Sequence, residues 1–297
     1  MRLRIATRGS ELARWQAGEV ARLIGAAIEG VEVSLVVVET SGDRRLDVPI
    51  WEIGGQGVFV KEVQAAVLDG RADVAVHSAK DLPSVPAPGL AIAAVPERGD
   101  PRDALVGSTL GDLPAGARVA TGSVRRRAQL AWIRPDLTFT SLRGNIATRL
   151  EKVPAGGCVV MAAAALARLG LLDRADEVLD ESAMLPQVGQ GCLAVECRDG
   201  DAGVLELLAA IEHGPSRVAL DCERGFLARL GGGCDLPVGA YARLDGDEVK
   251  VEGMLASPDG RVMLRSSRRG GVGAPASLGA DLAEELLVSG GADLLAG

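Results

Sequence analysis

Aromatic side chains are almost missing from this sequence: Phe, Trp and Tyr together make up 2% of 297 residues. The cores must therefore be built from Val, Leu, Ile and Ala, and little remains for stacking nucleic-acid bases on exposed rings. Histidine occurs twice, as His77 and His213. Two residues so far apart exclude a His-rich metal site and leave a Ser-His-Asp triad unsupported. Cysteine is an odd five with no repeated short spacing, and the Cys192 and Cys197 pair has no matching second pair. A disulfide framework and a zinc site are both disfavoured, no metal is expected, and a reducing compartment fits best. The longest run of small apolar residues, 158–167, is about half the length a spanning helix requires. The first residues, Met1-Arg2-Leu3-Arg4-Ile5, lack the apolar core of a signal peptide. These absences predict a cytoplasmic protein with no membrane partner. A net charge of −8 argues against general attraction to nucleic acid.

What is present is arginine. Only Lys61, Lys80, Lys152 and Lys250 are lysines, and every other basic residue is Arg. GC-rich codon usage accounts for such a total but not for where the arginines fall. At 297 residues the chain suits two or three domains. Its first part alternates strand and helix signals: a strand over 3–7, a helix from an N-cap at Ser10 to about residue 27, and a strand over 31–37. A turn-rich loop follows over 40–57, containing Gly54, Gly55 and Gly57, then a helix over 59–69 and a short buried strand over 74–77. Residues 96–101 read as a hinge, after which the alternation restarts. Strands are expected over 118–121, 138–142, 158–161 and 192–196, and helices over 123–133, 146–152, 162–169 and 204–211. Residues 186–191 read as a return crossing. Beyond Pro215 a helix over 217–230, three strands (238–244, 249–256, 261–267) and a helix from about 276 predict a separate α+β domain. The expected domains are 1–95 with 193–212, then 100–188, then 215–297.

The densest chemistry lies in Thr121-Gly122-Ser123-Val124-Arg125-Arg126-Arg127, where a strand turns into a helix. Three arginines at a helix N-terminus have the wrong sign for the helix dipole. Either an anion offsets them, since such a terminus is already an anion site, or they splay into solvent. Arg143-Gly144-Asn145 and Arg149 repeat the theme after the next strand, and Arg8 with Ser10 occupies the first strand-to-helix turn. Arg168, near a helix C-terminus, also suits the dipole there. Arginine grips carboxylates through two parallel hydrogen bonds, so the pattern predicts a ligand bearing several carboxylates or a phosphate. No phosphate-binding Gly-x-x-x-x-Gly-Lys-Ser/Thr run is present. Asp81, beside Lys80, is expected to stay ionised and to steady positive charge on a substrate nitrogen; it reads equally as a cap of the turn before Pro83. Cys234, in Gly231-Gly232-Gly233-Cys234-Asp235, is either a reactive thiol on a flexible loop or an inert one.

Taken in order, Arg4-Ile5-Ala6-Thr7-Arg8-Gly9-Ser10, Gly57-Val58-Phe59-Val60-Lys61-Glu62, Ala72-Asp73-Val74-Ala75-Val76-His77-Ser78 and Lys80-Asp81 resemble the porphobilinogen deaminase family. So do Arg98-Gly99-Asp100-Pro101-Arg102-Asp103-Ala104, Ser141-Leu142-Arg143-Gly144-Asn145, Val188-Gly189-Gln190-Gly191 and Gly232-Gly233-Cys234. The resemblance covers nearly the whole chain. It implies two α/β domains like the lobes of a periplasmic binding protein, joined by hinge crossings, plus a C-terminal α+β domain with a three-stranded sheet. It also implies a monomeric transferase that deaminates porphobilinogen and joins four units onto a dipyrromethane cofactor, thioether-linked to Cys234. By the same resemblance Asp81 is catalytic, and Lys80, Asp81, Ser10, Thr121, Ser123, Arg125, Arg126 and Gly144 hold the cofactor. Arg8, Ser10, Gln16, Arg143, Arg149 and Arg168 then bind substrate. Gln56 and Gly122 stand where the family usually has lysine and serine, and Ala79, Ala147, Ala164 and Gly231 depart at motif edges. The rival expectation is a non-catalytic carboxylate-binding receptor of the two-lobed type.

Overall fold

The computed structural model describes residues 1–40, 60–232 and 236–296. Gln56, Cys234 and nearly all of the loop expected over 40–57 lie outside the described residues. In chain order the strands are β1 (Arg2–Arg8), β2 (Glu32–Val38), β3 (Val74–Ser78), β4 (Leu90–Ala94), β5 (Asp103–Val106), β6 (Arg118–Ala120), β7 (Thr138–Thr140), β8 (Cys158–Ala162), β9 (Glu177–Val178), β10 (Leu193–Arg198), β11 (Val238–Asp245), β12 (Glu248–Ala256) and β13 (Met263–Gly271).

Two compact units result, 1–98 with 192–217 and 99–191 with 218–297. The chain passes between them after Arg98, Gly191 and Arg217. In the first unit the strand order is β2-β1-β3-β10-β4. β1 runs parallel to β2 and β3, whereas β10 is antiparallel to both β3 and β4. The sheet has covered faces on both sides, as parallel sheets require. On one face Leu3, Ile5, Val74 and Val76 meet Ala17, Val20 and Ile24 of helix Glu11–Ala27. On the other, Ala6 and Ala75 meet Val63, Ala66 and Val67 of helix Lys61–Leu68.

The second unit repeats the plan with the order β7-β6-β8-β5-β9. β6 is parallel to β7 and β8, and β5 enters antiparallel between β8 and β9. Each α/β sheet is thus a parallel set into which one strand, the first after a crossing between the units, is inserted backwards. The alternation of strands and helices predicts this α/β build in both units, and the family resemblance implies the binding-protein-like plan of each sheet. The second unit also holds the antiparallel sheet β11-β12-β13. Its core joins Phe226 and Cys222 of helix Gly214–Leu230 to Val249, Val251 and Leu282. Met254 and Ala256 of β12 pack on Ala128 of helix Val124–Ile133, so the third sheet sits directly against the helix that carries the arginine run.

Three strands, β4, β5 and β9, have no counterpart in the sequence reading, which leaves residues 78–117 and 170–191 without a strand. β5 is four residues long and follows Pro101, so hinge signals mask it. The last strand begins at Met263 rather than 261, because residues 257–262 close a tight turn through Ser257 N–H to Val262 O, 2.9 Å.

Candidate functional site

Every site residue proposed from sequence, Cys234 aside, sits near the C-terminal end of a parallel strand or on the helix that follows it. In the first unit β1 and β3 are neighbours, so their ends carry Arg8 with Ser10 and Lys80 with Asp81 to one edge of the sheet. Ser10 caps helix Glu11–Ala27 by accepting from Ala13 N, 3.3 Å. Gln16 breaks that helix's apolar stripe: it is buried, and its Nε2 donates to Ser78 Oγ at 2.8 Å. Its amide nitrogen therefore steadies the strand that leads to Asp81. Lys80 and Asp81 form a single 3-10 turn, Ala79–Asp81, directly after β3. Asp81 is half-buried, and its carboxylate has no hydrogen bond or ion pair to any described residue.

In the second unit the ends of β6, β7 and β8 are adjacent, bringing 121–126, 143–149 and the helix Ala163–Arg168 to one edge. Thr121 Oγ1 accepts from Ser123 N, and Ser123 caps the arginine helix by accepting from Arg126 N at 3.4 Å. A Cβ at Gly122 would lie 2.8 Å from Leu142 O. The glycine at this position allows a close backbone approach, beyond merely omitting a hydroxyl. Gly144 has φ +113, and a Cβ there would meet Thr148, so its turn requires glycine. The Gly144 carbonyl accepts from Arg149 Nε at 2.8 Å. Arg168 Nη2 donates to Gly191 O at 2.6 Å. Arg143 is half-buried and its Nη1 has no hydrogen-bond partner among the described residues.

The arginine run has an internal anion that sequence reasoning missed. Asp103, wholly buried at the start of β5, accepts from Arg125 Nη2 at 2.7 Å and from Arg126 Nε and Nη2 at 3.0 and 2.7 Å. Gln190 Nε2 adds a fourth donor at 2.9 Å. Backbone carbonyls take further donors, Leu185 O from Arg125 and Val160 O from Arg126. Of the three arginines only Arg127 is exposed. Burial alone would raise the Asp103 carboxyl, but the two guanidiniums outweigh it and hold the group well below the usual carboxylate range. Burial pushes Arg125 the other way, below the ordinary arginine value, with Asp103 opposing.

Two guanidiniums share one carboxylate, so the cluster keeps one positive charge in excess. Arg125 Nε is also buried with no hydrogen-bond partner among the described residues. A small open pocket adjoins this cluster, with Ser123, Arg125 and Gln187 on its polar side and Val188, Leu227, Leu236 and Val238 on its apolar side. Leu236 stands two positions after Cys234 in the chain. The pocket's cavity volume of about 10 Å³ is water-sized, so it sets an apolar wall beside an excess guanidinium charge without enclosing a ring. Cys158, Cys192, Cys197 and Cys222 are buried and form no disulfide. Burial pushes the thiols of Cys158 and Cys197 up to about 11 and that of Cys222 to about 12, which keeps them protonated and inert near neutral pH. No helix among the described residues is long and apolar enough to cross a membrane.

The chain matches two family models. One is described as porphobilinogen deaminase, dipyromethane cofactor binding domain, over residues 3–206, and the other as porphobilinogen deaminase, C-terminal domain, over residues 218–288. A curated relative, the porphobilinogen deaminase of Roseiflexus castenholzii (strain DSM 13941 / HLO8), is 50% identical over 300 residues, covering 99% of each chain. That of Roseiflexus sp. (strain RS-1) is 49% identical over 298 residues, covering 99% of this chain and 98% of its own. Among solved structures, the BenM effector binding domain with its effector benzoate aligns at 14% identity over 71% of this chain and 90% of that one, with a TM-score of 0.42. That likeness is too slight to argue from.

Proposed function

The chain belongs to the porphobilinogen deaminase family, and from that premise we propose which of its own residues carry the family's reaction. The activity is that of a transferase: ammonia is lost from porphobilinogen, and four units are joined in line on a covalent dipyrromethane primer and released as linear hydroxymethylbilane. When bound, the primer supplies a nucleophilic pyrrole carbon to which the chain is added. The residues then divide by unit. Cys234 tethers the primer by a thioether, Thr121 and Ser123 contact its side chains, and Gly144 frames the turn beside it. Arg125 and Arg126, buried against Asp103, contribute their uncompensated positive charge to the cofactor site rather than a direct grip. Arg143, Arg149 and Arg168 take the acetate and propionate groups of incoming or added rings, because bidentate guanidinium pairing suits carboxylates.

In the first unit Asp81 is the catalytic carboxylate. Held in its turn with no competing partner among the described residues, it accepts hydrogen bonds from pyrrole N–H groups and stabilises positive charge as ammonia departs. Lys80, Ser10, Arg8 and Gln16 surround the same sheet edge and contact cofactor or substrate side chains. The observation that carries this assignment is the Arg125–Arg126–Asp103 cluster, which keeps its excess positive charge at a pocket walled by Leu236. A carboxylate receptor would use such a charge as well, but it would have no need of Cys234 or of a third sheet.

Intact-protein mass spectrometry tests the assignment. An adduct of two linked pyrroles is expected, absent in Cys234→Ala and giving a pink colour with Ehrlich's reagent; an unmodified, inactive protein from a porphobilinogen-producing host contradicts it. We also read the chain as a cytoplasmic monomer that binds no nucleic acid, which its net charge of −8 supports. Light scattering on the purified protein checks the monomer.

A further inference from the structure

We infer that His77 and Glu196 are positioning residues for the turn that bears Lys80 and Asp81, an inference that rests on the catalytic reading of Asp81. Successive residues of β3 point to opposite faces, so its last two, His77 and Ser78, emerge on different sides of the sheet. Each meets a polar side chain. Ser78 Oγ accepts from Gln16 Nε2, on the face covered by helix Glu11–Ala27. On the other face His77 Nε2 lies 3.1 Å from Glu196 Oε2, and Gln64 Nε2 of helix Lys61–Leu68 donates to both Glu196 oxygens, at 2.9 and 3.1 Å. β10 supplies the third hold: Glu196 stands opposite Ala75 on that strand, and Ala79 N donates to Cys192 O at 3.0 Å just before it. The exit from β3 is therefore gripped on both faces and along one edge, and the turn with Asp81 begins at the next residue.

The polar trio is an unfavourable way to fill space. His77 is 5% exposed, Glu196 1% and Gln64 6%. His77 Nε2 stands at ion-pair distance from the carboxylate, yet its N–H direction meets no hydrogen-bond geometry. A well-packed apolar set at the same position would carry no such penalty. The two Gln64–Glu196 hydrogen bonds do, however, fix the carboxylate beside which the His77 ring sits, and so favour one orientation of the strand end that apolar packing does not specify. This is the property that a catalytic carboxylate in a three-residue turn needs, since a small misplacement of a reacting group lowers turnover far more than it lowers stability.

The test compares His77→Phe, which fills the ring volume without nitrogen, with His77→Gln, whose amide restores a donor. Turnover is normalised to primer-loaded enzyme by intact mass, and melting temperature is recorded for each. Positioning predicts that His77→Phe lowers kcat about tenfold with KM within about twofold and the primer retained, and that His77→Gln recovers most of the loss. Unchanged kcat in His77→Phe overturns the inference, whatever its melting temperature. If His77→Phe does not fold, Glu196→Gln decides, because it keeps an acceptor for Gln64: a comparable fall in kcat supports positioning and an unchanged kcat overturns it. Asp81→Asn is assayed alongside. If it turns over normally, the catalytic reading falls and this inference with it; if it is inactive while His77→Phe is normal, only the positioning inference falls.

Discussion

Each α/β sheet places a buried carboxylate on its backward-inserted strand, Glu196 on β10 and Asp103 on β5, but the two are satisfied by different partners. Glu196 has a neutral amide and an imidazole. Asp103 has two guanidiniums and an amide. The first arrangement offers its carboxylate no guanidinium and leaves no positive charge over, so it can do little beyond holding geometry. The second leaves a positive charge in excess at a pocket edge, so one carboxylate both permits two buried arginines and fails to neutralise them. On the proposed assignment, the same sheet plan gives a lobe that orients one acid and a lobe that attracts many acids.

The sharpest way to break this comparison is to remove each carboxylate in turn. Asp103→Ala leaves two buried guanidiniums without a counter-charge, and urea unfolding should show a loss of about 3–5 kcal/mol. Glu196→Ala strands only an amide and an imidazole, and should lose about 1–3 kcal/mol in the same assay. An equal or larger loss for Glu196→Ala would mean that stranding two guanidiniums costs no more than stranding neutral partners, and the comparison would fail.

The pH dependence comes next. Asp103 has its pKa depressed in the folded state, so its contribution is complete above the unfolded carboxylate value of about 4 and is lost as pH falls below it. The stability gap between the native chain and Asp103→Asn should accordingly be widest above pH about 5 and narrow steadily toward pH about 2. A gap that stays constant across that range removes the charge argument. The smallest effect is expected where the lobes are alike. Ser10→Ala and Ser123→Ala each delete an N-cap bond of similar length, and each should cost about 1 kcal/mol by thermal unfolding.

Much of this was legible in the sequence because it is local. Ser10 and Ser123 announce their helices by cap chemistry, and the apolar runs 74–76 in β3 and 158–162 in β8 announce central strands. The position of arginines after strands marked the site edge of both sheets. What escaped was non-local. Asp103 lies 22 residues before Arg125 on a four-residue strand that follows a proline, and the only hint was an acid opening the apolar run Ala104-Leu105-Val106. The arginine run therefore pointed to an anion outside the chain, whereas two of its three members already hold one inside it and only Arg127 reaches solvent. Glu196 and His77 are separated by more than a hundred residues and meet only because β10 returns to β3.

The division between the lobes is tested most directly by measuring the turnover of Asp81→Asn per primer-loaded enzyme. The account predicts a folded protein that carries the two-pyrrole adduct at the native mass increment but turns over at least about a hundredfold more slowly. Near-native turnover in that loaded variant would contradict it, because the first lobe would then be orienting a carboxylate the reaction does not use.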